Sequence, residues 1–482
     1  MDRKLVKNYI FSVLYQLLSI VMPLITIPYT TRVLGLELLS INAATSAIIQ
    51  IFVSFGLLGV AIYGNREIAK VRDNKKECSK TFLEIFTMQC LSMSLSTIAF
   101  IVYTIVVGDK YMNILLIQSI TLLSVALDIT WFFYGVEDFK KVSIRNMLVK
   151  VIGVILIFRF VKGTNDLPLF VFLNVMVGIC GQLVMWIQIH QYISFTKFTL
   201  KDVLAHVKPN IALFVPQIAI TIYSVLDIMM LRILYSGGID QVGLYEQTQK
   251  FIRMFLFFIT SIGSVMLPRV TNTFHKGDLE GVPKYLSKTI HLSLYLSLPM
   301  IFGICGMVQK FVDWFFTNKD YAPVGLLIQL MSPIILFIAL SNVFGTQYLV
   351  PTGKTKFYTI SVVAGAIVNF CVNFISIPRL GAIGAIAGSI CAELTVTIIQ
   401  FIYTRKDIKV RLKVTEILSI IFASSIMFIV VVTIGTLLKS NFLTSVIQIV
   451  LGGITYLICL LVIRPPFVKE MLKQIKDRKV FS

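Results

Sequence analysis

The sequence predicts an all-α polytopic membrane protein with about fourteen transmembrane helices, and three observations lead to that prediction. Of its 482 residues, 57% are hydrophobic and 14% are charged, whereas soluble domains carry about 25% charged residues. Mean hydropathy is +0.86. The apolar residues form blocks of about 20 to 25, long enough for a helix to cross about 30 Å of hydrocarbon and too long for barrel strands.

The spans follow from these blocks in chain order. We place them at residues 9–30, 39–63, 81–107, 112–134, 144–161, 167–190, 209–234, 242–268, 287–307, 322–350, 357–377, 380–403, 414–438 and 441–463. The first block follows three basic residues, as a secretory signal does. However, it exceeds the apolar core of a cleavable signal and lacks a small-residue cleavage site after it, so we expect it to be span 1.

Basic residues are unevenly distributed around the spans. With the N-terminus inside, cytoplasmic segments hold 32 of the 44 Lys and Arg, outer loops hold 8, and spans hold 4. This distribution follows the positive-inside rule, which indicates an even number of spans and cytoplasmic N- and C-termini. Topology and anionic membrane lipids account for the net charge of +20, so no nucleic-acid partner is expected.

Residues 465–482 form a basic tail. Its apolar residues recur at helical spacing among lysines, which predicts an amphipathic helix on the inner leaflet; they are Val468, Met471, Leu472 and Ile475. A disordered, solvated tail is the alternative. The seven cysteines show no CxxC spacing and the four histidines are scattered, so neither a disulfide nor a metal site or other cofactor is expected.

The predicted outer loops are short, and the longest runs from about Gln309 to Tyr321. A membrane enzyme that acts on polymers commonly needs a large loop for its catalytic residues. No soluble domain is predicted on either side, so the sequence favours transport over catalysis.

The two halves of the chain share a weak internal repeat. Spans 1 and 2 contain PLITIPYTTRVLG and INAATSAIIQIF, and spans 7 and 8 contain VPQIAITIYSVLDIMMLRIL and GLYEQTQKFIRMF. Pro23 and Pro216 lie within the first member of each pair, and Arg32 and Arg232 follow near its outer end. Six spans separate the copies, so the halves share an orientation, as in transporters with a parallel pseudo-twofold repeat.

The repeat divides the chain into two six-helix lobes and an appendix. We expect an N-terminal lobe at 1–207 (spans 1–6), a C-terminal lobe at 208–405 (spans 7–12), appended spans 13 and 14 at 406–464, and the basic tail at 465–482.

These motifs, together with LDITWFFYGVEDFK from Leu127 to Lys140, resemble the Wzx-type polysaccharide flippases of the MATE-like multidrug/oligosaccharidyl-lipid/polysaccharide superfamily. The resemblance covers nearly the whole chain. It implies that the protein moves an undecaprenyl-diphosphate-linked oligosaccharide from the inner to the outer leaflet, for capsule or exopolysaccharide assembly. It also implies a bacterial plasma membrane, with polysaccharide polymerase and glycosyltransferases as partners.

Span 8 carries the strongest candidate for a substrate site. Glu246, Gln249, Lys250 and Arg253 follow a 3–4 spacing and share one face. Lys250 is expected about 12 Å and Arg253 about 16 Å from the outer end of the span. Two cations on one face suit a diphosphate and sugar hydroxyls, and charges within spans are functional candidates.

The resemblance also implies a basic cavity with an arginine on this helix, and Arg253 is our candidate. Some relatives have further arginines on spans 1 and 2, where this chain has only Arg32, near the outer edge. The alternative is structural: Glu246 and Lys250 are an i,i+4 ion pair, and Arg253 ties the lobes together.

A coupling-cation site is a second candidate. Asp227 on span 7, Asn369 and Asn373 on span 11, and Ser389 and Glu393 on span 12 offer oxygen ligands from three helices, which suits a hard cation. Lipid II flippases of the same superfamily have a sodium site at corresponding places, with an acid where this chain has Asn373. Sodium or proton coupling is therefore a hypothesis. The alternatives are helix–helix hydrogen bonding and mutual neutralisation of Asp227 and Lys250.

The remaining charges within the N-terminal lobe have a structural interpretation. Asp128, near the inner end of span 4, and Lys150, at similar depth in span 5, are expected to form an ion pair.

Three other functions compete with the glycan flippase. A multidrug or cation antiporter of the same fold would usually have twelve spans, and the cationic face would repel cationic drugs. Lipid II transport is less favoured because spans 1 and 2 lack arginines within the lumen. A glycan polymerase would need a large outer loop. The predicted mechanism is alternating access, with no bond made or broken.

Overall fold

The computed structural model describes residues 3–275, 281–408 and 413–479, and every regular element in these ranges is helical. The α-helices are α1 Arg3–Val33, α2 Gly35–Leu57, α3 Val60–Val71, α4 Lys75–Val107, α5 Met112–Ala126, α6 Thr130–Gly135, α7 Phe139–Phe160, α8 Leu167–Ile189, α9 Leu200–Leu234, α10 Asp240–His275, α11 Gly281–Phe315, α12 Pro323–Met331, α13 Ile334–Ser341, α14 Thr355–Leu380, α15 Ala382–Ile408, α16 Val414–Leu437, α17 Phe442–Ile463 and α18 Pro466–Lys479. Short 3-10 turns cover Thr164–Asp166 and Lys319–Tyr321, and a π-helix covers Asn342–Leu349.

The predicted all-α polytopic class is confirmed. In the part of the chain that is described, ten helices or continuous helix pairs are long and apolar enough to cross a membrane, and a bent pair makes an eleventh. The other three predicted spans coincide with α7, α9 and α10, which have 22, 35 and 36 residues. Each of the fourteen predicted spans therefore coincides with one helix or one broken helix.

Several helices are longer than the predicted spans because helical structure continues beyond the hydrocarbon-length block. α4 begins at Lys75 rather than at 81, and the Asn74 side chain caps it by accepting hydrogen bonds from the amides of Lys76 and Glu77. α9 begins at Leu200 rather than at 209, after Thr199 and Asp202 bond to each other's backbone amides.

The longest outer loop is shorter than predicted, because α11 continues to Phe315. The apolar block of this span ends at residue 307. Phe311 and Phe315 stack with ring centroids 4.6 Å apart, and both pack against Phe251 of α10. Aromatic packing thus extends the helix into a segment that the apolar count assigned to a loop.

Two of the breaks within spans have clear local causes. Between α2 and α3, Leu58 adopts a φ of 51°, a conformation that a residue with a side chain adopts only at a cost. Between α12 and α13 the axis bends by 45° beside Pro333, whose ring prevents a regular helical hydrogen bond.

By packing, the described chain separates into two compact units, residues 1–232 and 233–482. In the first unit α2 packs on α4, α5 and α8, α5 packs on α8, and α8 packs on α7. In the second unit α10 packs on α11, α12 and α15, α12 packs on α15, and α15 packs on α14. Each unit by itself therefore repeats one order of helix partners, as the internal repeat predicts.

The last helices belong to the second unit and pack on α11. Tyr295 of α11 donates to Glu416 of α16 over 3.1 Å, and His291 lies 3.4 Å from the same carboxylate. Tyr456 of α17 donates to the Tyr295 carbonyl, and Phe467 of α18 stacks on His291.

The predicted tail helix is present as α18. Its position on the inner leaflet remains a prediction, and the side chain of Ile475 and residues 480–482 lie outside the described residues.

Candidate functional site

The cationic face of α10 lies where the sequence analysis predicts it, in the second unit. Lys250 forms an ion pair with Glu246 over 3.0 Å, and 42% of the lysine side chain remains exposed. Arg253 is exposed. It lies thirteen residues from the start of α10 at Asp240, which is about 20 Å along the helix. An exposed guanidinium this far into a long helix can bind an anion through two parallel hydrogen bonds.

A buried hydrogen-bond chain holds Arg253 in place. Its Nη2 donates to Gln249 Oε1 over 2.9 Å, and Gln249 Nε2 donates to the Tyr245 hydroxyl over 2.8 Å. Because residues 245, 249 and 253 are four apart, they lie one above the other on the helix. Gln249 is 8% exposed and Tyr245 is fully buried. The sequence indicated the face but not this support of the arginine.

The same chain continues to α15, where the predicted cation ligands lie. The hydroxyls of Tyr245 and Ser389 are 2.8 Å apart. Since the Tyr245 oxygen accepts from Gln249, its proton is available to Ser389. The candidate anion site and one candidate cation ligand are therefore physically connected within the second unit.

Two further cation candidates lie beside Ser389. Asn373 Nδ2 donates to Asn369 Oδ1 over 3.2 Å, and both side chains are fully buried on α14. A Cβ at Gly388 would lie 2.0 Å from Asn373 Oδ1, so α15 can approach these amides only with glycine there. Ser389 and Glu393 are 3% and 6% exposed. The structure thus brings Asn369 and Asn373 next to the α15 segment that carries Ser389.

Two predicted site residues belong to the first unit. Asp227 is 1% exposed on α9, and Arg32 is exposed in the last turn of α1. Their predicted grouping with the α10, α14 and α15 residues of the second unit stays a prediction.

Asp128 and Lys150 have partners other than each other in this structure. Asp128 Oδ1 accepts from the amide and hydroxyl of Thr130, the first residue of α6. Lys150 Nζ donates to Ser19 Oγ over 2.9 Å and lies over the ring of Tyr15. Asp128 is held by its own turn and Lys150 by α1, so the predicted ion pair is not among those within the described residues.

Polar contacts at both ends of α9 were missed by the sequence analysis. Near its C-terminal end, Arg232 forms an ion pair with Asp109 of the turn between α4 and α5. Near the start of the helix, His206 Nε2 lies 3.0 Å from Glu84 of α4, and His206 Nδ1 lies 2.7 Å from the Tyr63 hydroxyl of α3. Asp109 and Arg232 are predicted on the same membrane face, but 123 residues separate them, so sequence spacing could not pair them.

An apolar groove lies between α11, α16 and α17 in the second unit, with a volume of about 330 Å³. Its walls include Pro299, Gly303, Met427, Gly452 and Leu457. Gly303, Gly452 and Gly453 have no side chains to fill the groove. Tyr295 and Gln448 provide its main polar groups. Such a surface can accept a hydrocarbon chain.

Comparisons with known proteins give two family matches. The model described as "Polysaccharide biosynthesis protein" matches residues 5–274, which is more than half of the chain, and the model described as "MatE" matches residues 212–375.

Individual relatives extend over most of the chain. A protein of Shigella dysenteriae named "Putative O-antigen transporter" is 26% identical over 400 residues, covering 81% of this chain and 98% of that protein. One of the same name from Escherichia coli strain K12 is 22% identical over 408 residues, covering 83% and 97%. Among solved structures, lipid II flippase MurJ in an inward closed conformation aligns with a TM-score of 0.77 at 16% identity, covering 96% of this chain and all of that one. At this sequence identity, the similarity to the MurJ structure shows a shared fold.

Proposed function

We propose that this chain, which belongs to the polysaccharide biosynthesis protein family, is a flippase for a lipid-linked oligosaccharide. Its membrane helices and its transporter relatives make it a multi-pass membrane transporter. The finer proposal is that its substrate is an undecaprenyl-diphosphate-linked repeat unit. The protein would move this unit from the inner to the outer leaflet for surface polysaccharide assembly.

The observation that carries the proposal is the supported Arg253. A charged side chain on a membrane helix is costly and is therefore a functional candidate. Here the buried Gln249 accepts a hydrogen bond from the guanidinium and orients it. The remaining guanidinium N–H groups suit diphosphate oxygens. Lys250 retains exposed surface although it pairs with Glu246, so it can add a second positive charge, and Arg32 is the proposed contact from the first unit.

Alternating access is the proposed mechanism. The head group binds the basic side chains from the cytoplasmic leaflet and is released to the outer leaflet after the protein changes conformation. No bond is made or broken. The groove between α11, α16 and α17 supports a path for the isoprenoid chain, because its apolar walls offer hydrocarbon contacts while the head group is bound elsewhere.

Coupling to sodium or protons is a further part of the proposal. The burial of Asp227, Asn369, Asn373, Ser389 and Glu393 supports it, because buried oxygens can replace the hydration shell of a cation. Asp227→Asn should reduce the dependence of transport on sodium or on pH, and Ser376→Ala on α14 is the control. Unchanged dependence on both would exclude Asp227 from coupling.

We place the protein in a bacterial plasma membrane with both termini in the cytoplasm. The distribution of Lys and Arg supports this orientation. Polysaccharide polymerase and glycosyltransferases are the proposed partners, since the flipped unit must be made before transport and polymerised after it.

Depletion of the protein in its own cells tests the function. Lipid-linked repeat units should accumulate in the inner leaflet while surface polysaccharide is lost, and an added copy of the gene should reverse both effects. Accumulation of lipid II instead would favour the cell-wall precursor as substrate. Increased drug sensitivity with normal surface polysaccharide would favour a multidrug transporter.

A further inference from the structure

A cavity lined by amide, hydroxyl and apolar side chains lies within the first unit. It measures about 350 Å³, and it lies between α2, α5 and α8. The lining residues are Asn42, Ser46, Gln118, Thr121, Ser124, Phe170, Val171, Asn174, Val175 and Gly178. This volume is within the range of small-ligand pockets and is large enough for one sugar ring.

Three amides surround this cavity at one depth. Asn42, Gln118 and Asn174 lie six or seven residues from the first residues of α2, α5 and α8, so each is about 10 Å along its helix. All three helices are predicted to begin at the outer face. Amides within apolar helices are costly unless they find partners. Asn174 Nδ2 donates to the Phe170 carbonyl over 2.8 Å, and Gln118 and Asn42 bond to each other.

The hydrogen bonds within the cavity wall leave capacity for a ligand. Gln118 Nε2 faces the Asn42 carbonyl at 3.3 Å, Asn42 Oδ1 at 3.0 Å and Ser46 Oγ at 2.9 Å, which is three acceptors for two protons. Gln118 is 4% exposed, and its Oε1 has no hydrogen-bond partner among the described residues.

Hydroxyl groups on the same wall are also available. The described hydrogen bonds include none from Thr121 or Ser124, whereas four other serines and threonines of α2 and α5 donate to a carbonyl one turn back. A Cβ at Gly178 would lie 3.5 Å from Ser124 Oγ, so the glycine leaves room beside that hydroxyl.

The lining chemistry selects an uncharged, hydroxyl-rich ligand. None of the ten lining residues is acidic or basic, so neither an anion nor a hard cation would find a countercharge. Amides and hydroxyls both donate and accept, as vicinal sugar hydroxyls require. The Phe170 ring and the two valines provide an apolar wall for the C–H face of a sugar ring.

We propose that this amide-lined cavity is a subsite for one uncharged sugar of the transported glycan. The inference rests on the proposed flippase function and adds to it. The cationic face of α10 holds the diphosphate, and the cavity of α2, α5 and α8 recognises a neutral sugar. Specificity for the glycan would then depend on the first unit.

Binding of free sugars to the purified, full-length protein tests the subsite. The probes are glucose, galactose, rhamnose and N-acetylglucosamine, with glucuronic acid as the charged mismatch. At least one neutral sugar should bind saturably. Thr121→Val combined with Ser124→Ala should weaken binding by about tenfold, as the loss of two hydrogen bonds predicts. Ser119→Ala, an exposed hydroxyl on the same helix, is the matched control.

A variant that fills the cavity keeps the test decisive. Gly178→Leu should abolish sugar binding, and retained thermal stability would show that it folds. Failure of all four neutral sugars to bind, or unchanged binding in Gly178→Leu, would overturn the subsite. Glycan flipping by the wild-type protein in proteoliposomes is measured in parallel, so that absent flipping, which contradicts the proposed function, is distinguished from flipping without sugar binding.

Discussion

At the residue scale, the arrangement of α10 depends on a few buried hydrogen bonds. Tyr245 bonds to Ser389 of α15, Gln249 links Tyr245 to Arg253, and Arg253 extends to an exposed position. If Arg253 binds an anion as proposed, this support orders the arginine beforehand and lowers the entropy cost of binding.

Tyr245→Phe tests that support. The variant removes the acceptor of Gln249 Nε2 and a hydrogen-bond partner of Ser389, all in buried surroundings, so it should cost about 1 to 3 kcal/mol of stability. Glycan transport should fall because Arg253 loses its fixed position. The thermal unfolding midpoint in detergent and a transport assay measure both effects. Tyr285→Phe on α11 is a more exposed control, and a Tyr245→Phe protein with wild-type stability and transport would contradict the account.

Asp109 and Arg232 permit a second test at this scale. Their side chains are 4% and 19% exposed, so removal of one leaves the other charge largely buried. Asp109→Asn keeps the oxygen that caps the turn at Tyr111 but should cost about 3 kcal/mol, the usual effect of breaking a buried ion pair.

A double-mutant cycle completes that test. Asp109→Asn combined with Arg232→Met should cost clearly less than the two single changes together, as measured by unfolding. Additivity within about 0.5 kcal/mol would show that the pair does not couple α9 to the turn between α4 and α5.

At the scale of elements, the length of the apolar blocks predicted the positions of the helices well, but it predicted their ends and breaks poorly. Each of the fourteen predicted spans coincides with a helix or a broken helix, because crossing hydrocarbon demands about 20 apolar residues. The capped extensions of α4 and α9 lie outside the hydrocarbon block, so this criterion could not detect them. At the break between α2 and α3, Leu58 has a φ of 51°, which a leucine in the sequence does not predict.

For the candidate site, the sequence predicted which residues share a face but not which residues they contact. Periodicity placed Lys250 and Arg253 on one face because they share one helix. It could not show that Gln249 supports Arg253 through Tyr245, or that Lys150 turns to Ser19 rather than to Asp128. Residues on one helix are related by its fixed spacing. Partners on different helices are determined by how the helices pack, which a single sequence does not specify.

The contact of α14 with α15 gives a prediction for element packing. A Cβ at Gly384 would lie 2.6 Å from the backbone carbon of Ser376, and backbone cannot move aside as a flexible side chain can. Gly384→Ala should therefore force the helices apart and cost about 1 to 3 kcal/mol. Gly453→Ala on α17, where no neighbouring atom lies within 4 Å, should be neutral or stabilising. Equal unfolding midpoints for the two variants would contradict this packing.

At the scale of the whole molecule, the proposed orientation in the membrane rests on the distribution of basic residues. In a background without the seven native cysteines, Lys439→Cys in the turn before α17 should react with a membrane-impermeant thiol reagent on intact cells. Asp73→Cys in the turn before α4 should react only in inverted vesicles. Both positions are exposed, so burial would not account for a failure to react. The reverse labelling pattern would contradict the proposed topology and indicate the opposite orientation.

The proposed flippase function depends on the guanidinium of Arg253, and transport by the purified protein tests this role. Proteoliposomes with a labelled undecaprenyl-diphosphate oligosaccharide should show movement between leaflets with the wild-type protein. Arg253→Ala should slow it by about ten- to a hundredfold, the effect of losing one charge-assisted contact. Arg253→Lys should retain part of the rate, and Arg379→Ala, an exposed arginine on α14, should retain all of it. If folded Arg253→Ala protein moved the substrate at the wild-type rate, the cationic head-group site on α10 would be contradicted.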